Sequence, residues 1–194
     1  MAGQLQLSIV GDAEADAFLA ADPFALLVGM LLDQQIPMEK AFAGPALIAS
    51  RLGVTRLDPA VIAELDEQRL LEIMTGPPAV HRFPGAFATR LHDLCAMLVR
   101  DYGGDVTGLW TDVDGATALR RITELPGFGT QKSKIFLALL GKQCGITPQG
   151  WQEASAPYSE PGTFRSVADV VDRESLTRVR EFKKAAKAAA RAGN

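Results

Sequence analysis

Residues 116–142, ATALRRITELPGFGTQKSKIFLALLGK, constrain this chain more than any other stretch. An amphipathic helical pattern runs into Leu125-Pro126-Gly127-Phe128-Gly129 and a second pattern starts at once, so two helices must be joined by a turn of a few residues. Two glycines flanking one apolar residue let the backbone turn tightly, with Phe128 pointing inward as a plug. Amides near Gly127 and Gly129 are then left at a helix N-terminus, where unpaired donors and the helix dipole both favour a phosphate oxygen. Lys132 and Lys134 add positive charge just beyond it. The plainer alternative is a tight helix-helix connection that binds nothing.

Helical spacing recurs through the rest of the chain, and strict alternation never persists beyond a few residues, which predicts an all-α fold. Asp22-Pro23 reads as a cap followed by proline at the first helical position, opening a helix to about Gln35. Its run FALLVGMLL is apolar almost all round, the mark of a central helix. A helix over 38–52 follows, with Pro45 predicting a kink or a break and Gly53 closing it. Caps at Asp58, Asp66 and Asp114 predict helices over 59–65, 67–74 and 116–124. Glycine and proline make 75–85 a loop before a helix over 86–102 that ends at Gly103-Gly104. A core helix is expected from Thr130 to about Gln143, then short helices and loops over 146–165. The tail, 173–191, reads as a basic, alanine-rich helix whose large apolar residues are Leu176, Val179 and Phe182.

At 194 residues the chain has room for one domain, or two small lobes sharing a core. Its longest apolar run, 25–32, is far short of the ~20 residues a membrane-spanning helix needs. The first residues have neither a basic start nor a long apolar stretch, so the expectation is a cytoplasmic protein without membrane contact. Cys95 and Cys144 are 49 positions apart with no second thiol near either, and no CxxC or four-cysteine pattern occurs, so no zinc or iron-sulfur cofactor is expected. The net charge of −3 hides an uneven distribution: residues 1–118 carry −9, 119–142 carry +4, 143–172 carry −3 and 173–194 carry +5. Two compact basic stretches in an acidic chain are suited to gripping a polyanion locally.

The LPGFG turn between its two helices resembles the helix-hairpin-helix of the HhH-GPD superfamily of base-excision DNA glycosylases, the fold of endonuclease III and the adenine glycosylases. Residues 23–35, PFALLVGMLLDQQ, are similar to a second landmark of that family, a buried helix ending in a glutamine that enters the DNA where the damaged base has left. The resemblance covers residues 22–145 and implies two helical lobes. One would be a six-helix barrel lobe over 22–145 that carries the hairpin. The other would be a helical lobe built from 1–21 together with 146–194. It further implies a monomer that binds damaged double-stranded DNA through Gln34, Gln35, Pro126, Gly127, Phe128, Gly129, Gln131, Lys132 and Lys134.

The departures from the family pattern bear on mechanism. Members with lyase activity carry a lysine two residues after the second hairpin glycine, where this chain has Gln131, and Lys132 is rotated about 100° from it around the helix. The family aspartate falls near Gln149, and the cysteine ligands of the endonuclease III cluster are absent. The resemblance therefore implies a monofunctional glycosylase that releases a damaged or mispaired base hydrolytically, without a Schiff base. Glycosidic hydrolysis needs negative charge near the sugar and an activated water, and the candidate carboxylates are Asp33, Glu153 and Asp169. His81, Arg82, Trp151 and Tyr158 are candidates for a pocket that holds an extruded base, with Phe164 a further aromatic beside them. The competing readings are a non-catalytic lesion- or structure-binding DNA protein on the same fold, and a hairpin that is purely structural or contacts another protein.

Overall fold

In the computed structural model, which describes residues 5–192, the chain is all-helical, with ten α-helices and no strand among the described residues. In chain order these are α1 (Ala13–Ala21), α2 (Pro23–Leu32), α3 (Met38–Leu52), α4 (Pro59–Glu64) and α5 (Glu67–Thr75). After them come α6 (Pro84–Tyr102), α7 (Gly115–Thr123), α8 (Thr130–Gln143), α9 (Trp151–Ser155) and α10 (Arg173–Ala192). Single 3-10 turns occupy Val106–Leu109 and Val167–Asp169.

Carboxylates placed by the sequence set many of the helix starts. Asp12, Asp22, Asp58, Asp66 and Asp114 each accept a backbone N–H from the first turn of α1, α2, α4, α5 and α7 respectively. Asp22 also ends α1, donating its N–H to the Leu19 carbonyl, and its second oxygen accepts from Arg56 Nε at 2.9 Å. One buried residue thus holds the junction at which the chain bends by 117° between α1 and α2. Asp16 is a second such clamp: it accepts the N–H groups of Ile9, Val10 and Gly11 at 2.8 to 3.0 Å and fixes the N-terminal segment against α1. Three donors offset the cost of burying that carboxylate.

Every residue of α2 from Phe24 to Leu32 is buried, as its all-round apolar pattern requires. α3 packs directly against it, and the approach is close because of two glycines. A Cβ at Gly29 would lie 2.5 Å from the Phe42 ring, and one at Gly44 would lie 2.5 Å from Leu32. α1 to α6 pack mainly among themselves, whereas α7, α8, α9 and the Val167–Asp169 turn form a second group, and α2 touches α6 and α8. The apolar core is nevertheless one continuous cluster, running from Leu7 and Ile9 through α2 to Val167 and Val179. It spans both of the regions expected as separate lobes.

Three local expectations need correction. α2 stops at Leu32 and not near Gln35, because Pro37 disfavours helix in the residue before it and Gln35 takes a left-handed backbone (φ 58°). Asp33 terminates the helix, its N–H donating to the carbonyls of Gly29 and Met30. Of the kink or break expected at Pro45, the break does not occur: α3 runs unbroken from Met38 to Leu52 with Pro45 buried. α6 begins at Pro84, whose fixed φ and missing N–H suit the first helical position, so the loop before it is shorter than composition suggested.

Candidate nucleic-acid interface

The turn between α7 and α8 folds as its sequence dictates. Phe128 is buried, packs edge-on to Phe136 at 6.2 Å, and donates its N–H to the Leu125 carbonyl. Gly127 has φ +81°, and a Cβ there would lie 2.6 Å from Leu31, so the glycine is needed both for conformation and for the close approach to α2. Gly129 differs. Its φ is −94°, nothing lies within 4 Å of a Cβ placed on it, and it offers no side chain to cap α8. No side chain caps the first-turn N–H groups of α8, and Gly129, Thr130 and Gln131 are exposed.

Against this turn lies the C-terminal end of α2. The Lys132 ammonium donates to the Leu31 carbonyl at 3.1 Å and sits 5.7 Å from the Phe128 ring centroid. It thereby caps α2, a favourable place for a cation at a helix C-terminus. Burial pushes its pKa down to about 8, opposed by nearby Asp33 and assisted by Arg90. The Asp33 carboxylate, largely buried, faces Lys183 of α10 at 3.7 Å. Asp33 thus lies near two lysines, Lys132 of α8 and Lys183 of α10.

Gln34 and Gln35 form an exposed corner beyond Asp33. Gln34 accepts from Arg90 of α6 at 3.1 Å through its side chain, and its carbonyl meets His81 Nε2 at 2.9 Å. Phe83 N–H donates to the other ring nitrogen, Nδ1, at 3.1 Å, so the proton resides on Nε2 and the Gln34 carbonyl receives it. His81 is fully buried, stacks on Phe87 with centroids 3.6 Å apart, and has its pKa lowered by that burial. It latches the glutamine corner to the loop before α6, and as folded it has no face for a ligand. A cleft of about 250 Å³ opens beside the corner, lined by Gln34, Gln35, Phe83, Ala86, Phe87 and Arg90. Phe83 is 43% exposed there, with the Arg82 guanidinium 4.8 Å from its ring.

Pro126 to Gly129, Gln131, Lys132, Asp33, Gln34 and Gln35 thus gather around the α2–α8 junction, joined by Arg90 and Lys183. Tyr158 belongs to the same end of α8, its hydroxyl accepting from the Gln131 amide at 2.9 Å, and Lys134 donates to the Ala156 carbonyl at 3.2 Å. The other candidates lie elsewhere. Trp151 packs on Gly141, where a Cβ would lie 2.3 Å from its ring, about 15 Å along α8 from Gln131. Asp169 is buried near the far end of α8, where it accepts from Lys142 Nζ at 2.6 Å and from the N–H groups of Arg165 and Ser166. Its bonds make it a structural clamp. Glu153 is an exposed residue of the short α9, and Phe164 lies under Arg178 at 4.6 Å.

Arg90, Phe83 and Lys183 were not singled out in the sequence. Arg90 is a polar-face residue of an amphipathic helix, without a spacing signal that ties it to Gln34 56 positions away. Lys183 is one of seven cations in the tail, and only the fold brings it to Asp33. The chain matches no family model, and no curated protein is significantly similar to it.

Proposed function

We propose that this chain is a base-excision DNA repair protein that binds damaged duplex at the α2–α8 junction and releases the damaged or mispaired base by hydrolysis, without a Schiff base. The observation that carries the reading is the convergence of two sequence-distant features on one patch. One is the α8 N-terminus with its uncapped amides and the open Gly129; the other is the exposed Gln34–Gln35 corner held by Arg90 and His81. The amides suit phosphate oxygens, and Lys132, whose ammonium caps α2 at the Leu31 carbonyl, adds positive charge behind them. Gln35, exposed on a left-handed backbone, suits entry into the gap left by an extruded base, and the cleft by Phe83 offers that base an aromatic face.

Of the three candidate carboxylates, Asp33 alone adjoins this patch. It is the one assigned to stabilising positive charge on the sugar and orienting water. The test is base release from duplexes carrying a panel of damaged and mispaired bases. Free base is expected from at least one of them, with strand scission only after alkali, and Asp33→Asn should lower the rate by roughly 100-fold. Strand scission without alkali, or base release unaffected by Asp33→Asn, would overturn this mechanism. A lesion-binding role without chemistry is favoured by one observation, the Lys183 ammonium that occupies the Asp33 carboxylate. Binding to damaged duplex with no base released from any substrate would select it.

A further inference from the structure

α10 segregates its charges. At about 100° per residue, Arg173, Arg180, Lys183, Lys184, Lys187 and Arg191 fall within one sector of roughly 100°. The two acids of the helix, Glu174 and Glu181, lie off that stripe, and Glu174 is held by Arg178, which is also off it. Leu176 and Val179 are buried and dock the first half of the helix on the core, while every residue from Arg180 to Ala192 is exposed. At that transition the stripe meets the α2–α3 connection: Arg180 pairs with Glu39 of α3, and Lys183 pairs with Asp33. Beyond it, Lys184, Lys187 and Arg191 form no ion pair among the described residues.

We infer that the α10 stripe is a second duplex contact, which lies along the phosphate backbone flanking the α2–α8 junction and extends the grip on DNA without reading the lesion. The inference rests on the DNA-binding reading above. Its position follows from Lys183, which ties the stripe to Asp33 and so sets the three unpaired cations on the continuation of that patch. They recur every three or four residues, about 4.5 to 6 Å along the axis, wider than the ~3.4 Å axial repeat of phosphates on one strand, so the long lysine and arginine side chains can reach separate phosphates without sharing one. An anionic membrane is the less suitable partner. A helix that lies in a bilayer surface needs a row of large apolar side chains opposite its cations, whereas on the exposed half of α10 Phe182 stands there alone and from residue 185 to 192 every residue except Lys187 and Arg191 is alanine.

The test uses the full chain and its Lys184→Ala/Lys187→Ala/Arg191→Ala variant, with helical content checked by circular dichroism. Alanine favours helix, so the variant folds as the parent does. Binding is measured to an intact 24-base-pair duplex and to the same duplex with a stable abasic analogue, across a salt series, and to phosphatidylserine vesicles. The variant should lose about tenfold or more in affinity for both duplexes at ~0.1 M salt, its salt slope should fall by about 2.7, and the abasic-to-intact ratio should be unchanged. If the parent binds DNA and the variant matches it in affinity and slope, the stripe makes no duplex contact and the inference fails, while the junction reading stands. Loss of vesicle binding in the variant with duplex binding intact also overturns it, in favour of a membrane partner. If the parent binds neither duplex, the inference and the junction reading fail together.

Discussion

The two glycines of the α7–α8 turn separate fold from ligand at the scale of single residues. Gly127→Ala places a side chain on a left-handed backbone and against Leu31, and is expected to cost about 2 kcal/mol or more in denaturant unfolding. Gly129→Ala meets open space and should stay within about 1 kcal/mol of the parent, yet weaken DNA binding by crowding the exposed amides. Unaltered DNA affinity in Gly129→Ala would mean that the opening has no ligand. Lys132 gives a pH test. Its pKa is about 8 when folded, against an ordinary value of 10.5, so between those values the unfolded chain holds a proton that the folded chain has released. Stability from this group therefore rises with pH across that window. Relative to the parent, Lys132→Met should accordingly lose ground in melting temperature between pH 8 and 10.5, and a constant offset would contradict the assignment.

At the scale of elements, the glutamine corner depends on how α2 ends. Three residues beyond Leu32 leave the helix, and their conformation is held from outside by His81 and Arg90. Because burial lowers the His81 pKa below its usual 6.5, the unfolded chain binds a proton more readily, and stability should fall as pH drops below about 6.5. Replacing the ring by His81→Phe should flatten that acid-side slope in thermal melts, while reducing discrimination for abasic duplex through a loosened corner. An unchanged slope would remove the latch. Most helix boundaries were legible in the sequence because Asp caps, Pro at the first turn and terminal glycines are local signals, as at Asp58-Pro59 and Gly103. The end of α2 was not legible. Apolar periodicity suggested continuation to Gln35, whereas the stop depends on Pro37 together with a histidine 47 positions away from Gln34.

On the scale of the whole molecule, an acidic chain brings three of its twenty lysines and arginines to one junction. Lys132 from α8, Arg90 from α6 and Lys183 from α10 surround the end of α2, although no two are within 40 positions of each other in sequence. The LPGFG turn and the helix that ends near the glutamines were readable as local patterns, and their contact through Gly127 and Leu31 is the fold's addition. What composition could not do was sort the carboxylates. Asp169 and Asp33 are alike in sequence, yet one is consumed by Lys142 and two backbone donors at the far end of α8, and the other adjoins the turn.

The central claim is that the α2–α8 junction recognises damaged duplex, and its most direct test is binding to two otherwise identical duplexes, one intact and one with a stable abasic analogue, across a salt series. The account predicts a clear preference for the abasic duplex that persists as salt weakens both complexes, and that disappears in Gln35→Ala. Equal, weak and steeply salt-dependent binding to both duplexes, unaffected by Gln35→Ala, would mean attraction by charge alone and would contradict it.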